Sequence, residues 1–379
     1  MAVPRKSRRS RGGFQPPHCP NPNCHFHLPR PDWHFVKCGH GIRKSDRRRI
    51  QVFRCRHCGR YFSPPTFSTT YWLKRRDLLK LIADKISEGP GLRQIARTLG
   101  TSHATVARHV ARLGRHCLLY HANRCKDFRL QEPLVIDGFE TYEASKFYPF
   151  HINFAVGSQS WFIYNFTDAP LRRKGRMTAG QKRKRAKLED RFGRPDPKAV
   201  ELSMAELVRP LLKAVPHGRL VIHSDDHQAY PRALRRLGRQ EPGCPVMDLR
   251  VTSSKKPRTR SNPLFPVNLT DLLTRHGCAN HRRKTIAFSK RRQAGMERAA
   301  VFTVWRNYCK RRSENGPART AGMAAAMAER MLTFREVLCR RLFPGHVELT
   351  ESWRKYYWRR VKTAVMGDRQ TTHCLRYAF

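Results

Sequence analysis

The sequence predicts an α/β protein in which a mixed sheet with flanking helices follows a metal-binding knuckle and a pair of short helices. Three observations predict it. Apolar stretches of strand length, LVIDGFE (134–140), HINFAVG (151–157), WFIYNF (161–166), RLVIHS (219–224) and MDLRVTS (247–253), alternate in their later part with helical stretches at 198–212 and 227–238. Two close cysteine pairs stand near the amino terminus. Between them and the first strand, residues 92–113 carry a helical apolar period broken at Gly100.

The amino-terminal element is HCPNPNC (18–24), followed by RCRHCGRYFS (54–63). C-x4-C and C-x2-C pairs at tight turns are what a tetrahedral zinc ion requires, four thiolates at about 2.3 Å held by two knuckles. The expected ligands are Cys19, Cys24, Cys55 and Cys58, with Cys38, His18, His25, His27 and His57 as competitors. Val52 and Phe53 before the second pair, and Tyr61 and Phe62 after it, read as hairpin strands covering the site. Four thiolates leave no open position, so this zinc is expected to be structural and to supply folding energy to a unit with little core.

In LRQIARTLGTSHATVARHVARL (92–113) a first helix ends at Gly100. Thr101 or Ser102 can cap a second helix whose inner face is Val106, Val110 and Leu113. The outer face then offers His103, Thr105, Arg108, His109 and Arg112, the layout of a helix-turn-helix with a second helix shaped for the major groove.

Asp137 follows one apolar strand and Asp225 another. Side by side in one sheet, such carboxylates bind divalent metal through oxygen, and two magnesium ions can activate an attacking oxygen and stabilise a leaving one at a phosphodiester. Asp226, next to Asp225 in VIHSDDHQAY (221–230), is expected to cap the helix that follows.

The charge agrees with a polyanionic partner. Lys and Arg number 77 against 28 Asp and Glu, a formal net charge of +49, and they recur along the whole chain. Such self-repulsion is relieved by nucleic acid. No apolar run approaches the roughly 20 residues of a membrane span, and the basic amino terminus lacks the apolar segment of a secretion signal. A cytoplasmic, nucleoid-associated protein is expected, with the cysteines outside the knuckles as reduced thiols. The stretch 171–197 holds eleven Lys or Arg and reads as a solvated loop or loose helix that orders on a phosphate backbone. Cys278 and the following ANHRR (279–283) read as a basic loop, AGMAAAMAERMLTFREVL (321–338) as a strong helix. In ESWRKYYWRR (351–360) aromatics interleave with cations, either to stack on unpaired bases or to anchor in the core.

Taken in order, the zinc knuckle, the helix pair, the strand with VIDG and the strand with HSD-x-x-x-x-Y resemble the DDE transposases of bacterial insertion sequences, most closely the insertion-sequence-one and related zinc-ribbon groups. RCRHCGRYFS (54–63) matches their knuckle ending, and TIAFSK (285–290) with WRNY (305–308) resembles their carboxyl-terminal catalytic half; the likeness covers roughly residues 15–312. The resemblance implies an RNase-H-like fold with two aspartates and a third acid, usually glutamate, on a later helix. Asp137 matches the first position, and Asp225 the second because Tyr230 has the family's spacing from it. At the third, VNLTDLLTR (267–275) offers Asp271 and Asn268 without a glutamate. Asp271 is favoured there, Glu297 is the alternative, and a degenerate third site is the remaining possibility. The implied organisation is a basic disordered arm (1–15), a zinc ribbon (16–68), a helix-turn-helix domain (72–128), a catalytic domain (130–312) and a basic helical extension (313–379). The implied activity is binding of element ends and DNA strand cleavage and transfer. It uses structural Zn2+ and catalytic Mg2+ or Mn2+, with DNA ends and target as partners, at least a homodimer on DNA, and no membrane. The alternatives are a catalytically inactive DNA-binding regulator derived from such an enzyme, and an RNA-directed nuclease on the same fold.

Overall fold

A computed structural model describes residues 13–44, 46–216 and 218–367. The basic arm falls, up to residue 12, outside the described residues. The amino-terminal unit is a three-stranded antiparallel sheet of β1 (Phe35–Ile42), β2 (Arg49–Cys55) and β3 (Tyr61–Phe62). The expected hairpin is present, with Phe53 opposite Phe62, and β1 adds to it. Among the described residues its buried core holds Trp33, Phe53 and Phe62 besides three of the knuckle cysteines.

Three helices follow: α1 (Leu78–Ser87), α2 (Leu92–Thr98) and α3 (His103–Arg124). The Ser102 hydroxyl accepts the Thr105 N–H at 3.1 Å and starts α3, while Gly100, at φ +54°, makes the turn before it. Val106, Val110 and Leu113 face inward as their spacing predicts, but α3 continues eleven residues beyond Leu113. Its second half is buried against the rest of the chain, so these helices share one hydrophobic core with the sheet behind them.

That sheet has five strands, β4 (Leu134–Tyr142), β5 (Pro149–Gly157), β6 (Ile163–Pro170), β7 (Arg219–Ser224) and β8 (Val246–Val251), in the order β6-β5-β4-β7-β8. The first three form an antiparallel meander, and β7 and β8 add in parallel beside β4. Central β5 is buried on both faces, whereas edge strand β8 is largely exposed. On one face lie α5 (Ala199–Leu212) and, against it, α6 (Ala229–Gln240); α7 (Phe265–Gly277) and α8 (Arg292–Val304) cover the other. The helix α4 (Ala179–Phe192) lies in the basic stretch between β6 and α5, is capped by Thr178 and buries no side chain.

One expectation gives way here, a second holds only in part, and one open choice is decided. The alanine-rich stretch forms only α9 (Ala321–Ala324) and α10 (Phe334–Val337), because tertiary contacts such as the Tyr308 carbonyl accepting the Leu332 N–H at 2.8 Å override a propensity worth tenths of a kcal/mol per residue. Of the stretch read as a basic loop (278–283), residues 278–281 are buried, whereas Arg282 and Arg283 are exposed. In α11 (Glu351–Tyr357), the Trp353 indole donates to the Phe166 carbonyl at 3.0 Å and Tyr356 to Asp168 at 2.7 Å, so these aromatics anchor the tail in the core and are not free to stack on bases.

The crossing of α3 and α8 is close. A Cβ on Gly114 would stand 2.7 Å from the Glu297 carbonyl oxygen and 2.8 Å from its Cα. Gly114→Ala is therefore expected to lower stability by about 1–3 kcal/mol in urea unfolding, against the sign that helix propensity gives; an unchanged or raised midpoint would contradict this packing.

Candidate active site

Asp137 lies in the middle of β4, not at its end, since the strand runs on to Tyr142. β4 and β7 pair with Val135 opposite His223, so two residues further along each chain Asp137 and Asp225 come level on the same face. That face carries Phe139, stacked on Phe154, and is the one α7 covers. The next residue, Gly138, points to the opposite face, where a Cβ would stand 2.3 Å from the Asn153 Oδ1; only glycine fits beside the aspartate.

Each acid is held by named partners. Asp137 Oδ1 accepts the Gly138 N–H at 2.7 Å and the Tyr230 hydroxyl at 3.1 Å, leaving Oδ2 without a hydrogen-bond donor among the described residues. Tyr230 is 1% exposed, and it reaches Asp137 because α6 starts directly after the turn that follows β7. Asp225 Oδ1 accepts the His227 N–H at 3.0 Å and closes that turn. Asp226 is exposed and does not cap: α6 begins at Ala229, whose N–H is taken by His227 Nδ1 at 3.2 Å.

The third acid brought to this place is Asp271, on the face of α7 turned to the sheet. Burial, followed by repulsion from Asp137, drives its carboxyl well above the ordinary range, with Arg275 and Arg258 opposing. Its Oδ1 is buried without a hydrogen-bond partner. Burial, then the neighbouring Asp225, likewise raises Asp137 to about 6. Arg275, one turn further along α7, donates to the Glu140 carbonyl at 2.9 Å and covers the Phe139 ring at 4.9 Å. Glu297, the alternative third acid, is not at this place. It is buried in α8, paired with Arg359 at 3.0 Å and bonded to Gln293 at 3.2 Å.

Repulsion of Asp137 by Asp225, and of Asp271 by Asp137, is relieved by a cation. Hard oxygen donors and a buried carboxylate oxygen without a donor fit magnesium or manganese, and binding would remove the repulsion that raises Asp137 and Asp271. Arg258, on the exposed loop between β8 and α7, acts electrostatically on both Asp137 and Asp271. Its loop, SSKKPRTR (253–260), was inconspicuous in sequence because basic clusters recur throughout the chain.

In the amino-terminal unit the sulfurs of Cys19, Cys24, Cys55 and Cys58 lie within 4.8 Å of one another, and Cys38 is exposed and apart. Cys19 and Cys58 are 3.6 Å apart and Cys24 and Cys55 4.0 Å. These bracket the edge of about 3.8 Å of a tetrahedron with 2.3 Å zinc–sulfur bonds. Gly59, at φ +70°, donates to the Cys55 carbonyl at 3.0 Å and shapes the second knuckle. Burial raises the Cys19 and Cys24 thiols, whereas at Cys55 burial is outweighed by the backbone N–H groups of Cys58 and His57 and by the Trp33 indole, which lower it to about 7.

On α3, His103 and Arg108 are exposed and Thr105 half-buried at the amino-terminal end. His109 and Arg112 do not belong to that outer face. His109 is buried, its ring nitrogens on the Thr105 and Arg75 carbonyls at 2.8 and 3.1 Å, and Arg112 donates to the Thr69 carbonyl at 3.1 Å. The segment that carries Thr69 and Arg75 packs along this flank and turns it inward. Among the described residues no helix is long and apolar enough to cross a membrane. No family model matches the chain, and no curated protein matches it.

Proposed function

We propose that this chain is a transposase with an RNase-H-like catalytic domain, which binds the ends of its element and cuts and joins DNA strands with divalent metal. The observation that carries the reading is the convergence of Asp137, Asp225 and Asp271, one of them with a buried oxygen lacking any donor, in a chain of net charge +49. Acids so placed serve a cation, and the surrounding charge serves a polyanion.

In this reading Asp137 and Asp225 hold the metal from the sheet and Asp271 from α7. Magnesium or manganese, when bound, supplies acidity to the attacking oxygen and neutralises charge on the phosphate. Tyr230 and the Gly138 N–H fix the Asp137 carboxylate, and the His227 N–H fixes that of Asp225, so neither reorganises as charge develops. Arg258 and its loop hold the phosphates flanking the scissile bond. The exposed end of α3, with His103, Thr105 and Arg108, is the groove-reading helix of a helix-turn-helix, the zinc ribbon adds to the grip on the ends, and α4 follows a phosphate backbone. Pairing of two ends requires at least a dimer during reaction.

The test is a plasmid carrying the gene with its flanking DNA, incubated with purified protein and magnesium. Wild type is expected to nick and join strands, and Asp225→Asn to do neither. Wild type and variant equally inert would sink the enzyme reading and leave a DNA-binding regulator; cleavage of RNA alone would favour the nuclease.

A further inference from the structure

We propose a second metal site, made of His18, His27 and His346, that holds a zinc-class ion and fastens the amino-terminal unit to the carboxyl-terminal segment. One ring nitrogen from each lies within 4.8 Å of those of the other two. The ring centroids are 5.5 Å apart for His18 and His27, 4.3 Å for His18 and His346, and 4.5 Å for His27 and His346.

The hydrogen bonds fix which ring nitrogens carry the protons. His18 Nδ1 and His27 Nδ1 each lie 3.0 Å from the Cys19 carbonyl, and His346 Nε2 lies 2.7 Å from the His27 carbonyl. A carbonyl only accepts, so each of these nitrogens carries the proton. The lone pairs then sit on His18 Nε2, His27 Nε2 and His346 Nδ1. Carbonyl bonds of this kind orient imidazoles that ligate metals. His27 Nε2 is buried with no hydrogen-bond partner. A Cβ on residue 345 would stand 2.7 Å from that nitrogen, and Gly345 leaves the space open.

Three imidazoles gathered with every ring donor already spent call for an electrophile. A set of imidazole nitrogens selects zinc, cobalt, nickel or copper over magnesium, and three protein ligands leave the fourth position to solvent. Phe67 and Phe343 pack edge-on against His18 at 5.3 and 4.9 Å and limit water. The nearby Arg341 charge opposes a cation, but its guanidinium is engaged over the Tyr71 and Phe343 rings at 4.9 and 4.7 Å and with the Thr66 carbonyl at 2.8 Å. The site neighbours the four-cysteine cluster, with Cys19 giving its sulfur to one and its carbonyl to the orientation of the other.

The test is a cobalt titration of full-length, metal-free protein under reducing conditions, with excess magnesium to occupy carboxylates. The first equivalent is expected to raise an intense thiolate-to-cobalt band. A second tight equivalent should add only weak d–d absorption, and its X-ray absorption should show imidazole nitrogen without sulfur. His346→Ala should lose the second equivalent and keep the thiolate band. Wild-type saturation at one equivalent, a sulfur or carboxylate shell around the second ion, or undiminished uptake by His346→Ala would each overturn the proposal. The wild-type stoichiometry and ligand shell decide it even where the variant folds poorly.

Discussion

Asp137→Asn is expected to abolish strand cleavage and, without divalent cations, to raise the stability of the chain at neutral pH. The two effects have one cause. The Asp137 carboxyl is raised from 3.8 to about 6, first by burial and then by Asp225, so folding at pH 7 forces an ionised group into a place that disfavours it. The sign follows from linkage. The cost is fully present above about pH 6, shrinks as pH falls through that value, and is gone below the ordinary carboxylate pKa, where folded and unfolded chains are both protonated. Its size is on the order of 2–3 kcal/mol. Asparagine keeps an oxygen for the Gly138 N–H and the Tyr230 hydroxyl and removes only the charge. Thermal unfolding without metal should show wild type gaining stability from pH 7 to pH 5 relative to the variant, and magnesium should stabilise wild type alone. Cleavage should fall by about a thousandfold or more, the worth of several kcal/mol of transition-state stabilisation. An active variant would remove Asp137 from the chemistry, and parallel pH profiles would remove the repulsion on which the site rests.

Cys55→Ser is expected to unfold the amino-terminal unit while the five-stranded sheet keeps its cooperative transition. Among the described residues the ribbon fully buries Trp33, Phe53 and Phe62 besides cysteines, with Phe26, Phe35 and Phe67 partly buried against them, too little apolar area to order about 50 residues unaided. A structural zinc supplies an apparent 10–16 kcal/mol, on the order of what such domains need to fold. Cys55 also accepts the Trp33 indole N–H at 3.3 Å, so the substitution disturbs the small core as well as the metal. The cobalt–thiolate band should weaken sharply, amide exchange over residues 33–62 should become fast, and binding to the element's ends should drop at least tenfold. Retention of a four-sulfur spectrum and of protected amides would show that the ribbon stands without this ligand.

Part of the short-range chemistry was legible in the sequence, although the Asp226 cap, the end of β4 and the alanine-rich helix were misread. Cysteine spacing within each knuckle, the Ser102 cap, the inward face of Val106, Val110 and Leu113, and the strands that carry Asp137 and lead to Asp225 depend on neighbours a few residues away. The partner of Tyr230 was not among them: its spacing marked Asp225, yet its hydroxyl bonds Asp137 on the adjacent strand.

What remained was decided by elements distant in sequence. Asp271 and Glu297 both sit on helices, and nothing local separates them; α7 covers the face bearing Asp137, whereas α8 turns Glu297 towards Arg359 and α3. The segment carrying Thr69 and Arg75 turned His109 and Arg112 inward, although a helical wheel sets them outside. His346 meets His27 across 319 residues, a separation over which no spacing rule operates. The sequence determined which groups are reactive and how each is locally held; only the packing of helices on the sheet decided which of them meet, because burial and charge pairing act through space.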